Sequence, residues 1–354
     1  MPAVLSANDI PDLVNLTYNT MLKKRSLVDL SLTKQRHMIH DRFFKGKKVP
    51  MKSGPKVIWK LLKTFQKNFR WTGLYEKDHV GNSANNTSHG EQYWAMCTTN
   101  YSFDTNEPDF QSDNESVLMD VVLTYELQMY NDWFENLEEA FCGAPAAPPS
   151  ATNPGVLCGF PFWIQKVTTP GFTGGNPSGF TGGAGGIDVA SVPGWSNYGD
   201  NYDAIHRDDF ISKLNKAVEF CRFTPPHQYS NTVDGDPRYQ FITVWSVVEG
   251  ASKYLDARND NIRDLRGNSP MYNGIPIERC PALDDPASPV YDTSNPFYGI
   301  DWNSMGLYFL NGREMDRKPM RPLENYHNVL VQHMDSTVQL VCKNRRSNFV
   351  LSQK

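Results

Sequence analysis

Histidines, cysteines and carboxylate pairs are the residues of this 354-residue chain that can carry chemistry, so their spacing comes first. The eight histidines are His37, His40, His79, His89, His206, His227, His327 and His333. His37 and His40 have helical i,i+3 spacing, but the nearest acid, Asp41, is adjacent and no third ligand repeats nearby. A closed metal site needs three or four donors, so the pair reads as arm histidines near an acidic surface. Cys97, Cys142, Cys158, Cys221, Cys280 and Cys342 are scattered without a CxxC pair. Together with a start that lacks an export signal, they are expected to be free buried thiols. Glu138-Glu139 and Asp208-Asp209 are neighbours in sequence and do not share a helix face. They read as solvated surface and a helix start, not as a general acid and base, and Asp284-Asp285 before Pro286 reads as a turn. No G-x-S-x-G, H-E-x-x-H or Walker A motif occurs. GFTGG occurs twice between Gly171 and Gly186, but no G-K-[ST] and no opening helix follow, so a mobile surface loop is expected. Glycosylation-type triplets at Asn15, Asn85, Asn86 and Asn114 read as coincidences of a polar composition. The expectation is no catalytic, cofactor-binding or metal residue, and no enzyme.

The composition bounds what must do the positioning. With 39% apolar and 12% aromatic residues the chain is globular, long enough for one to three domains. No apolar run approaches the length of a membrane span. The net charge of −4 hides a sharp split. Residues 1–70 hold fifteen Lys/Arg against four Asp/Glu, a net of +11. Residues 78–165 hold thirteen acids and no Lys or Arg, a net of −13. The basic segment either lies along the acidic one, in the same or a neighbouring copy, or binds nucleic acid, or each is separately solvated. The first of these is the expectation.

The pattern of elements follows. A short helix is expected over 9–24, then an extended arm over 25–55. Residues 56–71 fit helix and strand templates in part; with the polar tip at Gly81–Asn86 and the strand formers Tyr93–Thr99, the segment 56–104 reads as a long two-stranded hairpin. Such a hairpin has no core of its own and needs another surface. Residues 112–142 give a long helix, opened by a Ser112-x-x-Glu115 capping box and stopped at Gly143 and Pro145. Two apolar stripes run along it, through Leu118, Val122, Tyr125, Met129, Trp133 and Leu137 and through Met119, Leu123, Leu127, Tyr130, Phe134 and Phe141. Residues 143–200 look irregular, with a strand-like piece at Gly159–Ile164. From 203 the pattern is α/β: an amphipathic helix over 207–221, a strand at Tyr239–Ser246, a helix at Val247–Ala257, and strands at Tyr272–Cys280 and Met305–Asn311. A terminal hairpin over 328–334 and 336–343 turning at Asp335-Ser336, then a basic tail (Lys343, Arg345, Arg346), close the chain.

This order of elements resembles the major capsid proteins of tailed bacteriophages, which share the Hong Kong 97-type coat fold. Local wording is similar too. Gly-Phe-Pro-Phe-Trp-Ile at 159–164 resembles the strand that follows the spine helix in a subgroup of these coats. Tyr-Asn-Gly-Ile-Pro-Ile at 272–277, followed by Asp284, resembles an A-domain phrase. Gly-Leu-Tyr-Phe-Leu-Asn at 306–311 resembles that subgroup's YFLN strand, and 340–346 its closing strand and basic tail. The resemblance implies an α+β fold with N-arm, E-loop hairpin, long spine helix and P-domain sheet, and an α/β A-domain. It places the N-terminal arm at 1–55, the E-loop at 56–104 and the P-domain at 105–202, with the spine helix at 112–142 and the Gly-rich loop at 171–186. The A-domain would span 203–327, and the returning P-domain strands and tail 328–354.

It further implies self-assembly into hexamers and pentamers of an icosahedral shell around packaged double-stranded DNA, located in the virion after assembly in the host cytoplasm. The expected contact between copies sets basic Lys56, Lys60, Lys63, Lys67 and Arg70 over acidic Asp120, Glu126, Asp132, Glu135, Glu138 and Glu139 of a neighbour. Trp59, Phe65, Trp71, Tyr93 and Trp94 would bury the adhesion surface. Portal and scaffolding or decoration proteins are the other expected partners, DNA contact is expected to be weak and nonspecific, and neither membrane nor cofactor is expected. The rival readings are an encapsulin-type compartment and a secreted carbohydrate-binding or hydrolytic protein.

Overall fold

The computed structural model describes residues 38–44, 48–63, 70–77, 87–106, 115–150, 153, 155–222, 232–233, 236–256 and 271–354. The helix expected over 9–24 and the capping residue Ser112 lie outside them. Within the expected extended arm, Met38–Arg42 is instead a short helix. Ile39 within it and Phe43 just after it are fully buried, and the Phe43 ring packs 5.1 Å from both Phe141 and Trp302. Apolar residues set a helical turn apart gave that segment a face to bury.

The long helix runs Glu115–Cys142, 28 residues, and so spans roughly 42 Å. Val122, Met129, Trp133 and Leu137 of its first stripe are buried. In the second stripe Tyr130 and Phe134 are half-buried and Phe141 is fully buried. Both stripes therefore cover surface inside the subunit.

Beside it lies a six-stranded sheet built on one long strand, Val329–Cys342. This strand pairs antiparallel with Met305–Leu310, with Ala95–Asp104, and with the short strands Asp316–Arg317 and Arg321–Pro322. Lys48–Met51 adds a parallel edge on Met305–Leu310. The terminal hairpin expected to turn at Asp335-Ser336 is thus a single strand. Asp335 pairs with Thr98 and Ser336 with Cys97 without a break, and the buried Ser336 hydroxyl accepts from the Met315 amide at 3.0 Å. The pairing with Thr98 and Cys97 overrides the local turn signal, and the polar groups of Asp335 and Ser336 find partners in the ladder.

The second sheet has the order Tyr198–Tyr202, Phe349–Gln353, Phe297–Asp301, Tyr239–Thr243, Ile275–Arg279, Met271–Tyr272. It is mixed: Phe349–Gln353 is parallel to Tyr198–Tyr202, and Tyr239–Thr243 to Ile275–Arg279, while Phe297–Asp301 is antiparallel to both its neighbours. Helix Ser212–Cys221 buries Leu214, Ala217, Val218 and Cys221. A π-turn at Arg207–Ile211 precedes it, and helix Trp245–Asp256 follows Tyr239–Thr243. The chain is α+β.

Three more expectations change. The basic tail leads into the interior: Phe349–Gln353 is an inner strand, and Arg345 is fully buried with its guanidinium on Trp163 O (2.6 Å), Gly175 O (3.0 Å) and Asn197 Oδ1 (3.1 Å). The apolar run Phe349-Val350-Leu351 needed a core, and it took Arg345 in with it, while Arg346 is half-buried and Lys343 stays exposed. The strand expected at Gly159–Ile164 is a helical turn, Phe160–Trp163. Gly159 passes so close to the end of the long helix that a Cβ there would stand 2.3 Å from Phe141 O, and Pro161 suits a first helical turn. The Gly-rich segment 171–186 is packed, not a loose surface loop. Phe180 meets Phe162 at 4.8 Å, and the Trp195 indole donates to the carbonyl of buried Ala184 at 2.9 Å.

The expected 203–327 unit gives strands to both sheets, since Met305–Leu310 belongs with the long strand. The sheets meet at the turn 302–304. There the buried Arg238 and Asp301 pair at 2.8 Å, and Asn348 Nδ2 donates to Ser304 Oγ at 2.9 Å.

Candidate assembly surface

The hairpin is shorter than expected. Lys56–Leu62 pairs with Thr87–Tyr93, from Lys56 opposite Tyr93 to Leu62 opposite Thr87. The next strand, Ala95–Asp104, leaves it for the long strand. The break falls at Trp94, whose indole turns inward to donate to Gly54 O at 2.9 Å.

Strand alternation divides the hairpin into two faces. Val57 and Trp59 point inward. Trp59 lies 6.1 Å from Trp163 and crosses Gly90, where a Cβ would stand 2.4 Å from its ring. Trp59 is therefore the anchor of the hairpin to its own subunit, as Trp94 is of the strand that follows. Neither forms an outward adhesion surface as expected, because at 8% and 7% exposure their apolar area is already used. The outward face carries Ile58, Leu62 and Tyr93, at 55%, 66% and 43% exposure.

Residues 70–77 form a second exposed element. Arg70 Nη1 donates to Glu76 Oε1 (3.2 Å) and Nη2 to Lys77 O (2.9 Å), while the Gly73 amide donates to Glu76 Oε2 (2.8 Å). This frame presents Trp71, Leu74 and Tyr75 almost wholly to solvent. Large apolar groups so displayed mark an interaction site. Of the expected aromatics, Trp71 and Tyr93 are thus outward and Phe65 lies outside the described residues. Ile58, Leu62, Leu74 and Tyr75 were missed, although alternation about Trp59 already assigns Ile58 to the face opposite it.

The expected charge pairs are largely used within the chain. Lys56 donates to Glu91 Oε1 at 2.6 Å, which raises its pKa, and sits 4.3 Å over the Tyr93 ring. Arg70 is on Glu76. Lys60 and Lys63 are exposed, and Lys67 lies outside the described residues. Among the acids, Glu126 and Glu138 are not surface groups. Glu126 is 4% exposed and paired with Arg317; burial pushes its carboxyl up while Arg317 pulls it down. Glu138, 1% exposed, accepts from the Ile39 amide at 3.1 Å and so holds the short N-terminal helix against the long one. Asp132 is exposed and accepts from Thr99 Oγ1 at 3.0 Å, and the half-buried Glu139 oxygen lies 3.4 Å from Ser288 Oγ. Glu135 is half-buried, and the side chain of Asp120 lies outside the described residues.

Among the described residues no cluster of His, Cys, Asp and Glu is arranged to hold a metal, and no helix is long and apolar enough to cross a membrane. His37 and the His40 side chain lie outside them.

No protein-family profile matches the sequence, and no curated protein matches it. Solved structures do. The capsid asymmetric unit of cyanophage A-1(L) is 15% identical over 95% of this chain and 98% of that one, with a TM-score of 0.58. The capsid of a native GTA particle is 10% identical over 99% of each chain, TM-score 0.57. The mature capsid of bacteriophage PhiM1 is 11% identical over 93% of this chain and 90% of that one, TM-score 0.52. At these identities the likeness is one of fold, and it runs from end to end.

Proposed function

We propose that this chain is the major capsid protein of a tailed phage, whose copies form the hexamers and pentamers of an icosahedral shell around double-stranded DNA. The observation that carries the reading is the end-to-end likeness to phage capsid chains, over 95% of this chain and 98% of the cyanophage chain. In these terms Glu115–Cys142 is the spine helix, the sheet on Val329–Cys342 belongs to the P-domain, and the sheet containing Tyr239–Thr243 to the A-domain. The hairpin and residues 70–77 are the E-loop, laid over a neighbouring copy.

Energetics favour collective assembly over a stable dimer. Burying exposed apolar side chains such as Ile58, Leu62, Trp71 and Leu74 contributes roughly 1.5–3 kcal/mol each. Association costs about 4–15 kcal/mol. One contact is near balance, whereas the copy that closes a ring forms two such contacts for one loss of freedom. Outward Lys60 and Lys63 against Asp132, Glu135 and Glu139 of the neighbour would set register, at under about 1 kcal/mol per exposed pair. Portal and scaffolding proteins would be further partners, and contact with the enclosed DNA weak and nonspecific. Negative-stain electron microscopy of the purified chain tests the reading: capsomers or closed shells are expected, and monomers under every assembly condition would refute it.

A further inference from the structure

The last residue of the long helix, Cys142, meets Cys280 with an Sγ–Sγ separation of 3.2 Å, both side chains buried. They are 138 positions apart in sequence. Cys280 follows the strand Ile275–Arg279 and caps the helical turn Pro281–Asp284. Among the described residues this is the one contact between two thiols. Cys97, Cys158, Cys221 and Cys342 instead have oxygen or nitrogen partners: Ser336 O, Gln92 Nε2, Asn348 O and Asn348 Nδ2.

We propose that Cys142 and Cys280 are an oxidation site, converted by a peroxide into a disulfide that staples the long helix to the second sheet. A disulfide needs about 2.05 Å between sulfurs, so the pair must close by roughly 1.1 Å. Each cysteine sits at the end of its element, Cys142 closing the long helix and Cys280 following its strand, where its amide donates to Thr243 O at 2.9 Å. An independent feature provides the entry. An open groove of about 450 Å³ runs past the helix end, lined by Cys142, Gly143, Glu139, Val290, Tyr291 and Asp292. Cys142 lines it and Cys280 does not, which orders the steps.

The Cys142 sulfur attacks one peroxide oxygen, the O–O bond breaks, and the product is a Cys142 sulfenic acid and water. The Cys280 sulfur then attacks the Cys142 sulfur and displaces hydroxide, which leaves as water with the Cys280 proton. Two thiols and one hydrogen peroxide become one disulfide and two waters; the sulfurs together lose two electrons and the peroxide gains them. The inference concerns the subunit itself and stands apart from the shell reading.

The test uses the full chain, purified reduced, with and without hydrogen peroxide, then digested without reductant. The expected product is a cross-linked peptide pair containing Cys142 and Cys280, about 2 Da lighter than the two thiol peptides together. It should come with a higher unfolding midpoint that dithiothreitol reverses, because the bond closes a long loop in the unfolded chain. In Cys280→Ser the Cys142 thiol should stop at the sulfenic or sulfinic acid, and in Cys142→Ser the Cys280 thiol should remain unoxidised. Cys142 carried to sulfinic acid in the wild type with Cys280 still a thiol would overturn the proposal. So would both thiols intact after treatment, or cross-links scattered over the six cysteines.

Discussion

Replacing Trp71 and Leu74 with alanine separates assembly from folding. The two side chains are 88% and 94% exposed, so their removal takes almost nothing from the subunit's own core. Exposed substitutions of this kind change the unfolding free energy by no more than about 0.5 kcal/mol. If a neighbouring copy covers them, the same change removes roughly 1.5–3 kcal/mol per side chain from each contact, or about 3–6 kcal/mol for the pair. At tenfold per 1.4 kcal/mol, the association constant of one contact falls by about two to four decades. The assay is the concentration threshold for shells or capsomers, followed by light scattering, beside urea unfolding of the same variant. The expected result is a threshold raised at least a hundredfold with an unchanged unfolding midpoint. An unchanged threshold would refute the placement of this element at the interface. A midpoint that falls with the threshold would show that Trp71 and Leu74 support their own subunit.

Other expectations concern groups with different roles. Reversing Lys60 and Lys63 to glutamate should weaken assembly modestly, by under about 1 kcal/mol per pair, and the deficit should shrink in high salt; unchanged shell yield at low salt would remove the charge register. Gly90→Ala places a Cβ 2.4 Å from the Trp59 ring and should cost about 1–3 kcal/mol of subunit stability with altered tryptophan fluorescence, measured by urea unfolding. Arg345→Ala leaves the buried carbonyl of Trp163 and the half-buried one of Gly175 without this donor and should cost about 3 kcal/mol, and Arg345→Lys should not restore it because an ammonium lacks the planar fork. Burial alone would raise the Asp209 carboxyl, but the hydrogen bonds from Lys213 and the amides of Ala204 and Asp203 outweigh it and hold the pKa at about 2. An unfolded aspartate titrates near 3.9, so this stabilisation is present above about pH 4 and is lost as pH falls towards 2. Asp209→Asn should flatten that acid limb in a pH series of unfolding midpoints.

The architecture was legible where period and length were strong. The long helix, the amphipathic helix ending at Cys221 and the strands at 239–243 and 305–310 all follow from apolar spacing. The errors fall where a local rule met a non-local partner. Asp335-Ser336 has turn-like composition, but Thr98 and Cys97, distant in sequence, turn it into mid-strand. Phe349–Gln353 follows three basic residues and so reads as a tail, yet it fills the gap between two strands that are far apart in the chain. Segment 95–104 continues a hairpin by composition, and only the long strand's register shows that it leaves. In the segment 56–104 size stood in for orientation: of its three tryptophans all assigned outward, Trp71 is outward, but burial takes Trp59 and Trp94 inward.

The acidic stripe of the long helix was more readable than that. At about 100° per residue, the buried members of the first stripe, Val122, Met129, Trp133 and Leu137, occupy an arc of roughly 80°. The second stripe extends the apolar side to Leu127, at roughly 140° from Val122. Glu126 falls inside the first stripe, and Glu138 falls at the far edge of the second, next to Leu127 on the helix circumference. Asp132, Glu135 and Glu139 fall together on the opposite side. Position on the helix alone places Glu126 among the apolar residues, whereas Glu138 and Asp132 each lie about 20° beyond a half-buried stripe member, Leu127 and Tyr125, and only the fold separates those two. Burial grades them: Glu126 and Glu138 are 4% and 1% exposed, Glu135 and Glu139 are half-buried, and Asp132 is open to solvent. A carboxylate on the apolar side must be paired to be tolerated, and each has a partner from a distant part of the chain, Arg317 for Glu126 and the Ile39 amide for Glu138. These five of the thirteen acids in residues 78–165 thus fall into two populations. One ties the subunit's own arm and sheet to the helix. The other, Asp132, Glu135 and Glu139, is the acidic charge on which the proposed contact with a neighbouring copy rests.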